Sequence, residues 1–194
     1  MIVTRVAVIY FSATGTTTRL AEVVAAGAGG AAAEVVLQRI VGTDIIAGRY
    51  RNEATLAAVD AADAVIFGSP TFMGGPAAEF KAFADASSDR WTAQRWAGKL
   101  AAGFTCGSNP NGDQAATLAY LSILAGQHGM LWCGVDIAAG EDPAGRNRLG
   151  VSQGTCAHVA GGELVAADIE TARYLGERVA VLAGRFVRTL ESIA

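Results

Sequence analysis

The sequence predicts an α/β fold of the doubly wound kind, a five-stranded parallel sheet with helices on both faces. Three observations predict it. Short, nearly unbroken apolar runs recur along the chain, segments of helical periodicity separate them, and strand and helix alternate five times. A strand covered by helices on both faces has no solvent side, so its residues stay apolar without alternating. Right-handed crossovers then place successive helices on the two faces of the sheet.

In chain order the runs are Val6 to Phe11, the weaker Val35 to Ile40, then Ala64 to Gly68, Leu100 to Phe104, and Met130 to Val135. The helical patterns between them include Leu20, Val23, Val24 and Gly27, then Phe80, Phe83 and Ala84, then Leu118, Leu121 and Ala125. Spacings of three and four put each set on one helix face. The longest pattern closes the chain, from Ile169 through Gly176 and Val179 to Leu190, and should cover one face of the sheet. Gly42 to Arg51 reads as a surface connection, and Gly140 to Gly162 as a Gly-rich irregular excursion. No internal repeat is evident, and residues 1–194 read as one domain.

Composition narrows the function. With 52% apolar and 17% charged residues the chain folds, and a net charge of −3 without basic runs argues against nucleic acid. Gln114 to Val135 carries no formal charge and approaches the length of a membrane span, but Gln114, Ser122, Gln127, His128 and glycines interrupt it. A buried helix running into a buried strand explains it better, and no membrane insertion is expected. Cys106, Cys133 and Cys156 form no C-x-x-C pair, and their odd number suits reduced thiols in the cytoplasm. No metal site is expected.

Doubly wound sheets bind ligands beyond the carboxyl ends of their strands. Three loops therefore matter. The first, Ser12-Ala13-Thr14-Gly15-Thr16-Thr17-Thr18, offers five hydroxyls at the start of a helix, where free N–H groups and the dipole favour an anion. It contains no Lys or Arg, so a monoester phosphate would meet neutral donors. The spacing fits neither the G-x-G-x-x-G nor the Gly-Lys-Ser/Thr phosphate loop. The second, Ser69-Pro70-Thr71-Phe72-Met73-Gly74-Gly75-Pro76, sets apolar side chains beside paired glycines, which suits a flat aromatic ligand; Pro76 should lie near the first helical position. The third, Cys106-Gly107-Ser108-Asn109-Pro110-Asn111-Gly112, is built of small, polar and turn-forming residues that let N–H groups approach a ligand edge, with Asp113 capping the next helix.

In this order the three loops resemble those of flavodoxin-like FMN proteins, nearest to the NAD(P)H:quinone oxidoreductases of the WrbA type. Tyr10 to Thr17 looks like the family phosphate loop, and Ser69 to Gly74 resembles its Pro-Thr-Arg-Phe-Gly segment. Trp91, Lys99, His128-Gly129-Met130 and Ala172 to Gly176 extend the resemblance over nearly the whole chain. It implies that Ser12, Ala13, Thr14, Gly15, Thr16 and Thr17 hold the phosphate and ribityl chain of FMN. Pro70, Thr71, Phe72, Met73, Gly74 and Cys106 to Gly112 would then border the isoalloxazine. His128 would be a flavin-side contact, Trp91 a wall of the substrate pocket, and the assembly a homodimer or homotetramer. Thr14 and Phe72 depart from the pattern, standing where WrbA-type proteins carry an aromatic residue and an arginine. Gly145 to Gly150 looks closer to the broader NADPH-dependent FMN reductases. Arg146 and Arg148 could meet a 2′-phosphate or be solvated loop charges.

Neutral donors for one phosphate and room for one flat ring fit FMN better than a dinucleotide. FMN carries the electrons itself, so no acid or base is obligatory. The leading expectation is ping-pong hydride transfer from NAD(P)H to a quinone or similar small acceptor. The alternative is a flavodoxin-type one-electron carrier, and a third reading is an interaction module without flavin. Gly150-Val151-Ser152-Gln153-Gly154 matches the spacing of a hydrolase nucleophile elbow, but neither a preceding buried strand nor the chain order of a triad supports it.

Overall fold

In the computed structural model, which describes residues 3–110 and 113–193 with side chains through 186, the chain opens on β1 (Arg5–Phe11). Every β1 residue after Arg5 is buried. Val6, Val8 and Tyr10 enter one apolar cluster, and Ala7, Ile9 and Phe11 another on the opposite face. Both faces are therefore core.

Helix α1 (Thr16–Gly30) leads to β2 (Glu34–Ile40), and a 3-10 turn at Gly42–Asp44 leads to the hairpin β3 (Ile45–Ile46) and β4 (Arg49–Tyr50). The predicted surface connection thus has structure of its own. Helix α2 (Glu53–Ala61) precedes β5 (Ala64–Phe72), which folds back through β6 (Gly75–Pro76) before α3 (Ala78–Ala86) and α4 (Ser88–Thr92). Pro76 consequently lies in β6, just ahead of the first residue of α3. After β7 (Leu100–Gly107) come α5 (Gln114–Gln127), β8 (Leu131–Trp132), β9 (Thr155–Ala160), β10 (Glu163–Leu164) and α6 (Ala166–Ile193).

Parallel pairing gives the order β2-β1-β5-β7-β9, with β10 antiparallel on β9. The five-stranded parallel core is as predicted, but its fifth position is shared. β8 pairs with the start of β7, at Leu100 and Ala101, and β9 pairs with its end, from Phe104 to Gly107. The predicted strand at Met130 to Val135 shortens because the chain leaves the sheet at Gly134, where a Cβ would collide with the Ser152 carbonyl. The segment read as irregular through Gly162 contains β9, which fills the remainder of that position.

Helices α1 and α6 cover one face at very close approach. A Cβ on Gly27 would strike the Arg173 carbonyl, and one on Gly176 the Val24 carbonyl, so the two glycines form a notch where the backbones cross. On the other face, Phe67, Phe80, Phe83, Trp96, Leu118 and Leu121 are fully buried. Among the described residues no helix is long and apolar enough to cross a membrane, and Gln114 to Val135 resolves into α5 and β8 as expected.

Candidate functional site

The first loop turns on Gly15, whose φ of 96° lies in the left-handed region and starts α1 without a side-chain cap. Ser12 Oγ, only 1% exposed, accepts from the amides of Gly15 at 3.1 Å and Thr18 at 3.2 Å, which ties the loop to the helix. The amides of Thr16 and Thr17 stand in the first turn, where the helix supplies no carbonyl partner. Thr17 Oγ1 lies 3.3 Å from Cys106 Sγ. Thr18 Oγ1 is buried with no partner among the described residues. This donor set fits a phosphate.

The cation missing from the loop arrives from β2. Arg39 pairs in register with Tyr10 and donates from Nη2 to the Ser12 carbonyl at 2.7 Å. Its signal was the basic residue at the carboxyl end of the weakest predicted strand.

The second loop is a two-residue hairpin. Thr71 pairs with Pro76 and Phe72 with Gly75, while Met73 (φ 47°) and Gly74 (φ 80°) both take left-handed conformations. That is the turn whose twist matches a hairpin, and it usually carries Asn-Gly. Phe72 and Met73 are left exposed. Beneath them Thr71 Oγ1 lies 2.8 Å from both Thr105 Oγ1 and Thr117 Oγ1, pinning β5 to β7 and α5.

In the third loop Cys106 is buried and Gly107 half-buried, while Ser108, Asn109 and Pro110 are exposed; Asn111 and Gly112 lie outside the described residues. Gln114, which the sequence marks only as a polar interruption of an uncharged stretch, is fully buried and donates to the Asn109 carbonyl at 2.8 Å. Asp113 stands at the start of α5 with φ 52° and makes no side-chain cap, contrary to expectation, because the left-handed backbone replaces the extended one that capping needs.

The three loops meet around one cavity of about 260 Å³. Ala13, Thr14, Thr16 and Thr17 line it from the first, Pro70, Thr71 and Phe72 from the second, and Cys106, Gly107 and Ser108 from the third, with Val159 added by β9. Ser12 and Gly15 do not line it; Ser12 Oγ instead holds the Gly15 and Thr18 amides. Met73, Gly74, Asn109 and Pro110 do not line it.

His128 and Trp91 are not brought to this cavity within one chain. They line a separate space of about 350 Å³ between α3, α4 and α5, with Lys81, Tyr120 and Ile123. His128 ends α5, at the end of the helix remote from the third loop. It is 2% exposed, its Nε2 lies 2.8 Å from Ser87 Oγ, its ring packs on Trp96 at 4.2 Å, and Nδ1 has no partner among the described residues. Burial pushes the imidazole below its ordinary pKa. Burial raises the Cys106 thiol, and drives Cys156 up to about 12 with help from Asp168 and Cys106.

Arg146 and Arg148 are both paired. Arg146 holds Asp142 at 2.8 Å and lies over the Tyr174 ring. Arg148 donates at 2.8 Å to buried Asp168, which also accepts from the His158 amide at 2.8 Å. They fasten the excursion to α6. Ser152 precedes β9 instead of following a strand, so the elbow match fails structurally as well.

A parallel 2-1-3-4-5 sheet with a hydroxyl-rich first loop is the flavodoxin-like arrangement, and the family matched here makes the chain an oxidoreductase with FMN as cofactor and NAD(P)H as co-substrate. Residues 4–143 match the family model described as NADPH-dependent FMN reductase, and the chain belongs to that family. A flavodoxin, WrbA-like protein from Agrobacterium tumefaciens is 41% identical in sequence with a TM-score of 0.74, over 94% of this chain and 98% of that one. An Archaeoglobus fulgidus protein named NAD(P)H dehydrogenase (quinone) is 33% identical over 92% of this chain and 97% of its own. The flavodoxin FldP of Pseudomonas aeruginosa is 32% identical over 89% of this chain and 93% of its own.

Proposed function

We propose that the chain, as one FMN-binding domain, transfers hydride from NAD(P)H to a quinone or similar small acceptor by a ping-pong mechanism. The observation that carries this reading is the single cavity joining the first turn of α1 to the ends of β5 and β7. FMN, when bound, supplies the two-electron chemistry. The amides of Thr16 and Thr17 and the hydroxyls of Thr14 and Thr16 hold its phosphate. Pro70, Thr71, Phe72, Gly107 and Ser108 border its ring, and exposed Phe72 leaves an apolar rim for the acceptor. The name of the Archaeoglobus relative supports this donor and acceptor.

The chain works as a homodimer or homotetramer in the cytoplasm. Ile123, 63% exposed, and Trp91, 47% exposed, support a covered face beside the His128 cavity, from which Trp91 serves a neighbouring copy's pocket. Three unpaired cysteines fit a reducing compartment.

An absorbance spectrum of the purified protein, followed by NADH or NADPH and then a quinone, tests the reading. Bleaching of the flavin band by the nucleotide, its return with the quinone, and parallel double-reciprocal lines are expected. Intersecting lines reject the mechanism. The Pseudomonas flavodoxin favours a second reading, a one-electron carrier. A yellow protein left unbleached by both nucleotides but reduced by a one-electron donor selects it.

A further inference from the structure

The first loop offers more hydroxyls than it presents. Ser12 Oγ is consumed by two amides of its own loop, and Thr17, although it lines the cavity, is only 2% exposed and directs Oγ1 at Cys106. Cys106 ends the buried part of β7, paired in register with Pro70 on one side and Ala157 on the other, and it lines the same cavity. The Thr17–Cys106 contact therefore spans the phosphate end and the ring end of the site.

We propose that Cys106 is a positioning residue for the phosphate: its thiol donates to Thr17 Oγ1, fixes that rotamer, and leaves the Thr17 hydroxyl proton to be donated into the cavity. A hydroxyl has one proton to give and two lone pairs to receive with, whereas sulfur is a weak acceptor. The thiol is weak in either role, so the hydroxyl sets the direction: by receiving from S–H it keeps its own proton for an anion. Burial keeps Cys106 a thiol and so preserves the donor. Cys106 acts through Thr17 and touches no part of the phosphate.

The inference rests on the flavin reading. It is tested on apoprotein by fluorescence titration with FMN and with riboflavin, which has the ring and ribityl chain but no phosphate. Cys106→Ala weakens FMN by about fivefold, the size of one modest hydrogen bond, and weakens riboflavin, which meets only the cavity wall at Cys106, by clearly less. Thr17→Val weakens FMN by at least as much, and adding Cys106→Ala to it changes nothing further. Cys106→Ser restores FMN affinity toward wild type. An equal loss for riboflavin, or a Cys106→Ala loss that persists in the Thr17→Val background, overturns the positioning role alone. A wild-type apoprotein that takes up neither ligand overturns the flavin reading, and the inference with it.

Discussion

Arg39 Nη2 donates to the Ser12 carbonyl across 2.7 Å, and this bond brings a positive charge to the loop at Ser12 to Thr18, which has none of its own. Its reach follows from the pairing of β1 with β2, which sets Arg39 opposite Tyr10. Because Arg39 is exposed, solvent screens its field and the effect is modest. Arg39→Met should weaken FMN binding by about two- to fivefold at low salt, with the difference shrinking at high salt. Titrations at two ionic strengths check this; a salt-independent loss would mean that the loop itself had moved.

Asp168 is 2% exposed and receives both the Arg148 guanidinium and the His158 amide. Asp168→Ala leaves the amide unpaired, while Arg148 can turn to water. The expected loss is about 2 kcal/mol in urea unfolding. Arg148→Leu should cost at least as much, since it leaves the buried carboxylate without its cation.

His128 is buried and held below its ordinary pKa by desolvation. The unfolded chain takes up a proton near pH 6.5 while the folded chain does not until lower pH, so protonation favours unfolding. Stability should be level above about pH 6.5 and fall from there toward the lowered folded value. Denaturant midpoints between pH 8 and 5 measure the slope, and His128→Gln should flatten it. An unchanged slope in that variant would assign the effect to other groups.

Met73 holds φ 47° at the tip of the β5–β6 hairpin with its side chain fully exposed. A left-handed methionine gains nothing from the turn, whereas Asn-Gly is its preferred filling. Met73→Asn should raise stability by about 0.5–1 kcal/mol, read as a higher Tm. A lower Tm would show that the methionine makes a stabilising contact in the assembled protein.

The site was partly legible. The loop from Ser12 to Thr18, the apolar rim at Phe72 and the small residues after Cys106 are local patterns, and each lies at a strand end where the reading put it. Arg39 and Val159 reach the same region from elements distant in sequence, through strand register, and no local spacing announces them. His128 and Trp91 illustrate the converse: the resemblance assigns both to the flavin site, whereas within one chain the fold puts them around a different cavity.

The sequence by itself determined the alternation of strands and helices, the parallel core and the hydroxyl-rich chemistry of the first loop. Those follow from periodicity and from the chemistry of neighbouring residues. Tertiary structure alone decided that β8 and β9 divide the fifth strand position, that Arg146 and Arg148 are occupied by Asp142 and Asp168, and that Thr17 turns toward Cys106. Each depends on groups between 4 and 89 positions apart, and for the distant ones only chain packing sets which partner arrives.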